Sequence, residues 1–80
     1  MGRSRRRKPK KLARKLFAIR QSLGVSQTEM ARLLELKIAY TVISGYERAK
    51  NEPDLIVLLK YARLAGVSTD VLIDDKLDLY

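Results

Sequence analysis

Apolar residues at Leu12, Leu16, Ile19 and Leu23 recur at steps of three and four, and Ala13 and Phe17 widen the stripe. That spacing puts them on one face of a helix over about residues 10–23. Pro9 suits its entrance, and Gly24 supplies the left-handed residue that stops a helix. Ser26 followed by Glu29 has the spacing of a capping box, with Val25 and Met30 placed as a hydrophobic staple. A second helix therefore runs from Gln27 to about Leu34, with Met30, Ala31, Leu33 and Leu34 available for packing. Neither Gly nor Pro marks a break between Glu35 and Ala39, so a turn there rests on pattern alone. A third helix, Tyr40 to Arg48, points Ile43 and Tyr46 inward with Glu47 beside them. Its other face carries Tyr40, Thr41, Ser44 and Gly45. Lys50 to Pro53 is a connector, and Asp54 caps a fourth helix, Leu55 to Ala65, that Gly66 ends. Ser68 caps a short fifth helix to about Ile73. No strand alternation and no internal repeat appear.

The pattern thus describes an all-α chain with three parts. Residues 1–10 form a flexible basic arm, residues 11–74 a compact five-helix domain, and residues 75–80 an acidic tail that frays. Eighty residues hold one domain, near the lower limit for a self-sufficient core. The sequence contains no cysteine and no histidine. Disulfides and Cys/His zinc sites are excluded, and with them the commonest general base and the best thiol nucleophile. A catalytic cleft is not expected, nor is any cofactor. No run of about 18 apolar residues suggests a membrane span. Basic residues from Lys10 to Arg20 interrupt any signal-type apolar core. The expected location is the cytoplasm.

Charge changes the picture more than composition does. The chain carries +8, and residues 1–28 hold ten Lys/Arg and no acid, whereas residues 29–80 hold seven basic and nine acidic residues. The cationic field is concentrated at the front, with Arg5, Arg6 and Arg7 at its centre. Such a block suits a polyanion, although a solubility tail or trafficking signal has the same composition. Helix three adds a second pointer. Its outer face is small and polar in a chain otherwise rich in long charged side chains, so a duplex edge can approach it closely. The major groove is wide enough to admit a helix.

Four landmarks in order make the pattern specific. Val25 to Leu34 (VSQTEMARLL) resembles the second helix of the Cro and phage-repressor class of bacterial regulators, the XRE family. Val42 to Arg48 (VISGYER) resembles the centre of that family's recognition helix. Asn51-Glu52-Pro53-Asp54-Leu55 and Ala65-Gly66-Val67-Ser68 match its later landmarks. The resemblance spans about Leu12 to Ile73. It implies a repressor-like helix-turn-helix fold and a sequence-specific transcriptional regulator of double-stranded DNA, nucleoid-associated, with helix three in the major groove. It places Gln27 and Thr28 at a phosphate or base edge. Tyr40, Thr41, Ser44 and Gly45 fall on the reading face, and Arg48, Lys50 and Asn51 at or near phosphates. Arg20 and Glu47 match a family pair that ties helix one to helix three through a buried salt bridge. The basic arm adds backbone contacts through Arg5, Arg6 and Arg7.

Three departures stand out. The turn from Glu35 to Tyr40 is about two residues longer than the family pattern. Ala49 stands where the family has glycine, a strained choice if that position takes a positive φ. Ile56 and Val57 lie where the family is polar. With Tyr61 they make much of helix four apolar, which either a larger local core or a homodimer contact through helices four and five explains. The rival reading of the whole chain is a protein-interaction module, such as an antitoxin or assembly factor, on the same fold.

Overall fold

The computed structural model describes residues 9–37 and 40–79. Within them lie five helices: α1 (Leu12–Leu23), α2 (Gln27–Leu33), α3 (Thr41–Glu47), α4 (Leu55–Ala65) and α5 (Thr69–Ile73). No strand occurs among the described residues. Helix α1 packs against α3, α4 and α5, α2 packs against α3, and α4 against α5. Leu16, Ile19, Met30, Leu34, Ile43, Tyr61 and Leu72 are wholly buried at the centre. All five helices therefore contribute to one core, α5 through Leu72 alone. None of the described helices is long and apolar enough to cross a membrane.

Local chemistry explains the starts. The Ser26 hydroxyl accepts from the Glu29 amide at 3.1 Å, and Asp54 Oδ1 accepts from the Val57 amide at 2.9 Å. Each satisfies one of the four donors that a helix N-terminus leaves orphaned. Ser68 occupies the corresponding position at α5, but its side chain makes no capping bond, so its expected capping role is corrected.

The stops share one geometry. After α1, the amides of Gly24 and Val25 donate to Gln21 and Arg20, and after α4, those of Gly66 and Val67 donate to Arg63 and Ala62. Both glycines have positive φ, 70° and 72°. This is the Schellman closure, in which a left-handed residue turns two late carbonyls back onto the following amides. Helix α2 ends the same way without glycine. Glu35 sits at φ 60°, and the Glu35 and Leu36 amides donate to Arg32 and Ala31 at 2.9 Å each. Helix α3 repeats the arrangement with Ala49 at φ 60°, its amide bonded to Tyr46 and that of Lys50 to Gly45. The strain foreseen at Ala49 is present, and Glu35 carries the same strain. Lys60 of α4 offsets the strain at Glu35. Its ammonium donates to the Leu34 carbonyl at 3.1 Å and pairs with Glu35 Oε1 at 2.9 Å.

Several expectations change. Helix α1 starts at Leu12 rather than about residue 10, and Phe17 and Leu23 at the edge of its stripe are exposed. Lys15, a charged residue, is buried in their place. Helix α3 spans Thr41–Glu47, one residue shorter at each end than expected, and Tyr40 precedes it in helical conformation. Val57 and Tyr61 are not surface residues. Both belong to the core, with the Tyr61 ring edge-on to Tyr46 at 6.5 Å, and burial raises the pKa of its phenol. Only Ile56 of the apolar trio is exposed, next to Leu55.

Within the tail expected to fray, the described residues 75–79 are docked. The Lys15 ammonium donates to the carbonyls of Val71, Asp74 and Leu77 at 2.6, 3.1 and 2.8 Å. Leu79 packs against the core. Asp75 accepts from the backbone amides of Lys10 and Lys11. A run of acids is solvated only when nothing receives it. Here the buried ammonium holds carbonyls of the segment, and the uncapped start of α1 receives the Asp75 carboxylate.

Candidate nucleic-acid interface

Helix α3 is two turns long, and its sides differ. Ile43, Gly45 and Tyr46 are buried, and Val42 is partly buried against the core. Thr41, Ser44 and Arg48 lie three and four residues apart, so they share the opposite stripe. Thr41 and Arg48 are exposed and Ser44 is half-buried. None of these three side chains bonds to another group among the described residues. Among the described residues, the outer stripe is therefore available to a ligand without breaking a hydrogen bond or ion pair.

Gly45 is not on that stripe. It is buried, and a Cβ built on it would lie 2.5 Å from Asn51 Nδ2. Its expected place on the reading face is corrected: the missing side chain makes room for Asn51, not for a duplex. The Gly45 carbonyl also receives the amides of Lys50 and Asn51 at 2.9 and 3.3 Å. Glycine here lets the α3–α4 loop fold back tightly over the end of α3.

A polar network fixes how α3 is presented. Arg20 of α1 reaches Glu47 at the end of α3 through two parallel bonds, Nε to Oε2 at 2.7 Å and Nη2 to Oε1 at 3.1 Å. The carboxylate side chain is 5% exposed and the guanidinium 16%. The hydrogen bonds that Arg20 donates to Glu47 hold it above its ordinary pKa, against the desolvation that opposes it. Arg20 Nη1 also donates to the Val25 carbonyl at 3.0 Å, and its guanidinium lies 5.4 Å from the Phe17 ring centroid. A bidentate arginine–carboxylate pair fixes orientation as well as distance.

Gln27 joins this network. Its Nε2 donates to Glu47 Oε1 at 3.2 Å. The first residue of α2 is thereby tied to the last residue of α3, so one carboxylate links three helices. Gln27 was expected at a phosphate or base edge. It is half-buried, and its amide nitrogen is engaged inside the fold. Thr28, next to it, is exposed.

Tyr40, Lys50 and Asn51 are also exposed, at the two ends of α3. Arg5, Arg6 and Arg7 lie outside the described residues. The chain enters the described fold at Pro9 and Lys10. These two residues line a surface cleft together with Tyr46, Ala49, Lys50 and Asn51. The basic front end thus joins the fold beside the loop that follows α3.

Sequence reasoning missed Lys15 and Asp75. Position 15 continues the stripe of Leu12, Leu16 and Ile19, so its spacing marked it as inward-facing. Asp75 had no local signal, because the amides it receives are 64 and 65 residues away in sequence.

The sequence profile of the helix-turn-helix family matches residues 16–72. No curated protein matches the chain. Among solved structures, the fold is similar to that of the P22 c2 repressor protein, seen in a crystal structure with a synthetic operator. The two share 23% identity and superpose with a TM-score of 0.70, over 80% of this chain and 94% of that one. At that identity the likeness speaks for the fold, and the family match rests on the sequence itself. The chain belongs to the helix-turn-helix family, of the phage-repressor type.

Proposed function

We propose that this protein is a sequence-specific, double-stranded DNA-binding transcriptional regulator that lays α3 in the major groove. The observation that carries the reading is the contrast between the two sides of α3. Glu47 anchors one side to α1 and α2, while the side chains of Thr41, Ser44 and Arg48 on the other make no hydrogen bond or ion pair among the described residues. A surface held this rigidly and left this free is suited to reading a duplex. The P22 c2 repressor, whose fold it shares, is seen bound to an operator.

Thr41 and Ser44 meet base edges, and Arg48 reaches a guanine edge or a phosphate. Lys50, Asn51, Thr28 and Tyr40 flank the groove. Arg5, Arg6 and Arg7 release counterions from the backbone and supply affinity without sequence preference. Leu55 and Ile56, 77% and 62% exposed, form an apolar pair on α4 and make the contact with a second copy. Two such domains read half-sites about one helical turn apart. In the cell the protein works on the nucleoid, in the cytoplasm.

Selection of bound duplexes from a random library at near-physiological salt tests this. A defined motif, palindromic for a two-fold dimer, is the expected product. The Thr41→Glu/Ser44→Glu protein keeps its helical circular dichroism and loses the motif. Recovery of the same motif by that variant would show that another face reads the DNA.

A further inference from the structure

We propose that Asp75 is a positioning residue: the C-terminal segment pins the junction between the basic arm and α1, and so directs the arm toward the duplex that α3 reads. The inference rests on the DNA-binding reading above.

The start of α1 lacks a cap of its own. Lys11 stands at the N-cap position and its side chain makes no capping bond. The carboxylate of Asp75 takes that role from the other end of the chain. Oδ2 accepts from the Lys10 amide at 2.9 Å, and Oδ1 from the Lys11 amide at 3.0 Å. Both oxygens are used, and both bonds fall on the residues that connect the arm to the helix. A carboxylate at a helix N-terminus also meets the positive end of the dipole. These amide bonds hold the Asp75 pKa below the usual carboxylate range.

Asp75 is itself held from behind. Lys15 collects the carbonyls of Val71, Asp74 and Leu77, and Asp74 Oδ1 accepts the Lys76 amide at 2.9 Å. The segment thus turns around a buried ammonium and presents Asp75 outward to the first turn of α1. A pin anchored in the core can hold a direction; a loose acidic tail cannot.

The direction is the useful one. Pro9 and Lys10 share a cleft with Lys50 and Asn51, the exposed loop residues just beyond α3. Residues ahead of Pro9 therefore start beside the surface assigned to phosphate contact. With the junction pinned, the point from which residues 1–8 leave the fold is fixed beside the bound duplex, which favours their second contact with it. Releasing the pin keeps every cation of the sequence and unfixes only that departure point.

A cycle of four proteins tests this on the duplex that the full chain selects: the full chain, Asp75→Asn, the chain lacking residues 1–8, and the two changes together. Asn keeps the shape of Asp75 but sets an NH2 donor against one of the two amides. Asp75→Asn should weaken duplex binding by about three- to tenfold in the full chain, the size expected for coupled groups. In the armless chain the loss should be under about twofold, as for independent sites. The dependence of log K on log salt should fall toward that of the armless chain. Equal losses in both backgrounds, or none in the full chain, overturn the proposal. A full chain that selects no duplex overturns the DNA-binding reading itself, a separate result.

Thermal melts set every measurement well below Tm. Should Asp75→Asn fail to fold, Lys11→Cys/Asp75→Cys replaces it, in a chain with no other cysteine. The oxidised form should bind as the unmodified chain does, and the reduced form several-fold more weakly. Equal binding by the two forms overturns the proposal.

Discussion

Glu47→Ala removes the acceptor shared by three helices, and the structure fixes how much that should cost. The substitution deletes bonds to Arg20 Nε, Arg20 Nη2 and Gln27 Nε2. Breaking a buried pair from one side costs about 3–5 kcal/mol, because the remaining charge is stranded. Arg20 is stranded only in part: its side chain is 16% exposed and keeps the Val25 carbonyl. The lower end, about 3 kcal/mol, is therefore expected. An 80-residue domain holds roughly 4–12 kcal/mol in total, so the loss is a large share. At about 4–8 °C per kcal/mol for this size, Tm should fall by about 12–24 °C. Urea unfolding followed by circular dichroism gives the free energies. A double-mutant cycle with Arg20→Ala separates the pair from the other effects of truncation. A coupling energy under about 0.5 kcal/mol would refute the reasoning, since it would make this an ordinary solvated pair.

Lys15→Met removes a cation that holds three carbonyls; methionine recovers some apolar burial, so a net loss of about 1–3 kcal/mol is expected, with faster amide exchange over residues 74–79. An unchanged or higher Tm would mean that desolvation of the ammonium already cancels those bonds. Ala49→Gly relieves a left-handed residue at φ 60° and should raise stability by about 0.5–1 kcal/mol; a lower Tm would contradict it. Gly45→Ala places a methyl on Asn51 Nδ2, 2.5 Å away, while alanine favours the helix by about 1 kcal/mol. Because the Asn51 amide can rotate outward, stability should change by no more than about 1 kcal/mol while duplex affinity falls. Intact affinity would show that the position of Asn51 does not matter to binding.

What could be read in the sequence was what is decided locally. Ser26 and Asp54 sit next to the amides they cap, and Gly24 and Gly66 stand where the backbone turns left-handed. The limits of α2 and α4 were accordingly legible to within a residue. The turn after α2 was obscure for a definite reason. It uses the same closure as the glycine-ended helices, but the left-handed residue is Glu35, held by Lys60 from another helix. Ala49 ends α3 in the same conformation, and there the family resemblance supplied the signal that the residue itself lacks. The Arg20–Glu47 pair followed from family resemblance, whereas its link to Gln27 depends on how α2 and α3 cross. The acidic tail looked like a solvated end because its two receptors, Lys15 and the start of α1, are distant in sequence. Val57 and Tyr61 were left open between core and dimer contact for a related reason: a helix apolar on most sides gives no sign of which side faces inward.

Non-glycine kinks bracket α3, Glu35 before it and Ala49 after it, while its mounting rests on Glu47 at its last position and on partners in other helices. Lys60, Arg20 and Gln27 belong to neighbouring helices, and none of them bonds to the side chain of Thr41, Ser44 or Arg48. Rewriting those three letters should alter which sequence is chosen while the melting curve stays put. A single scaffold of this kind can accordingly be diversified into a set of readers with different targets and a common stability.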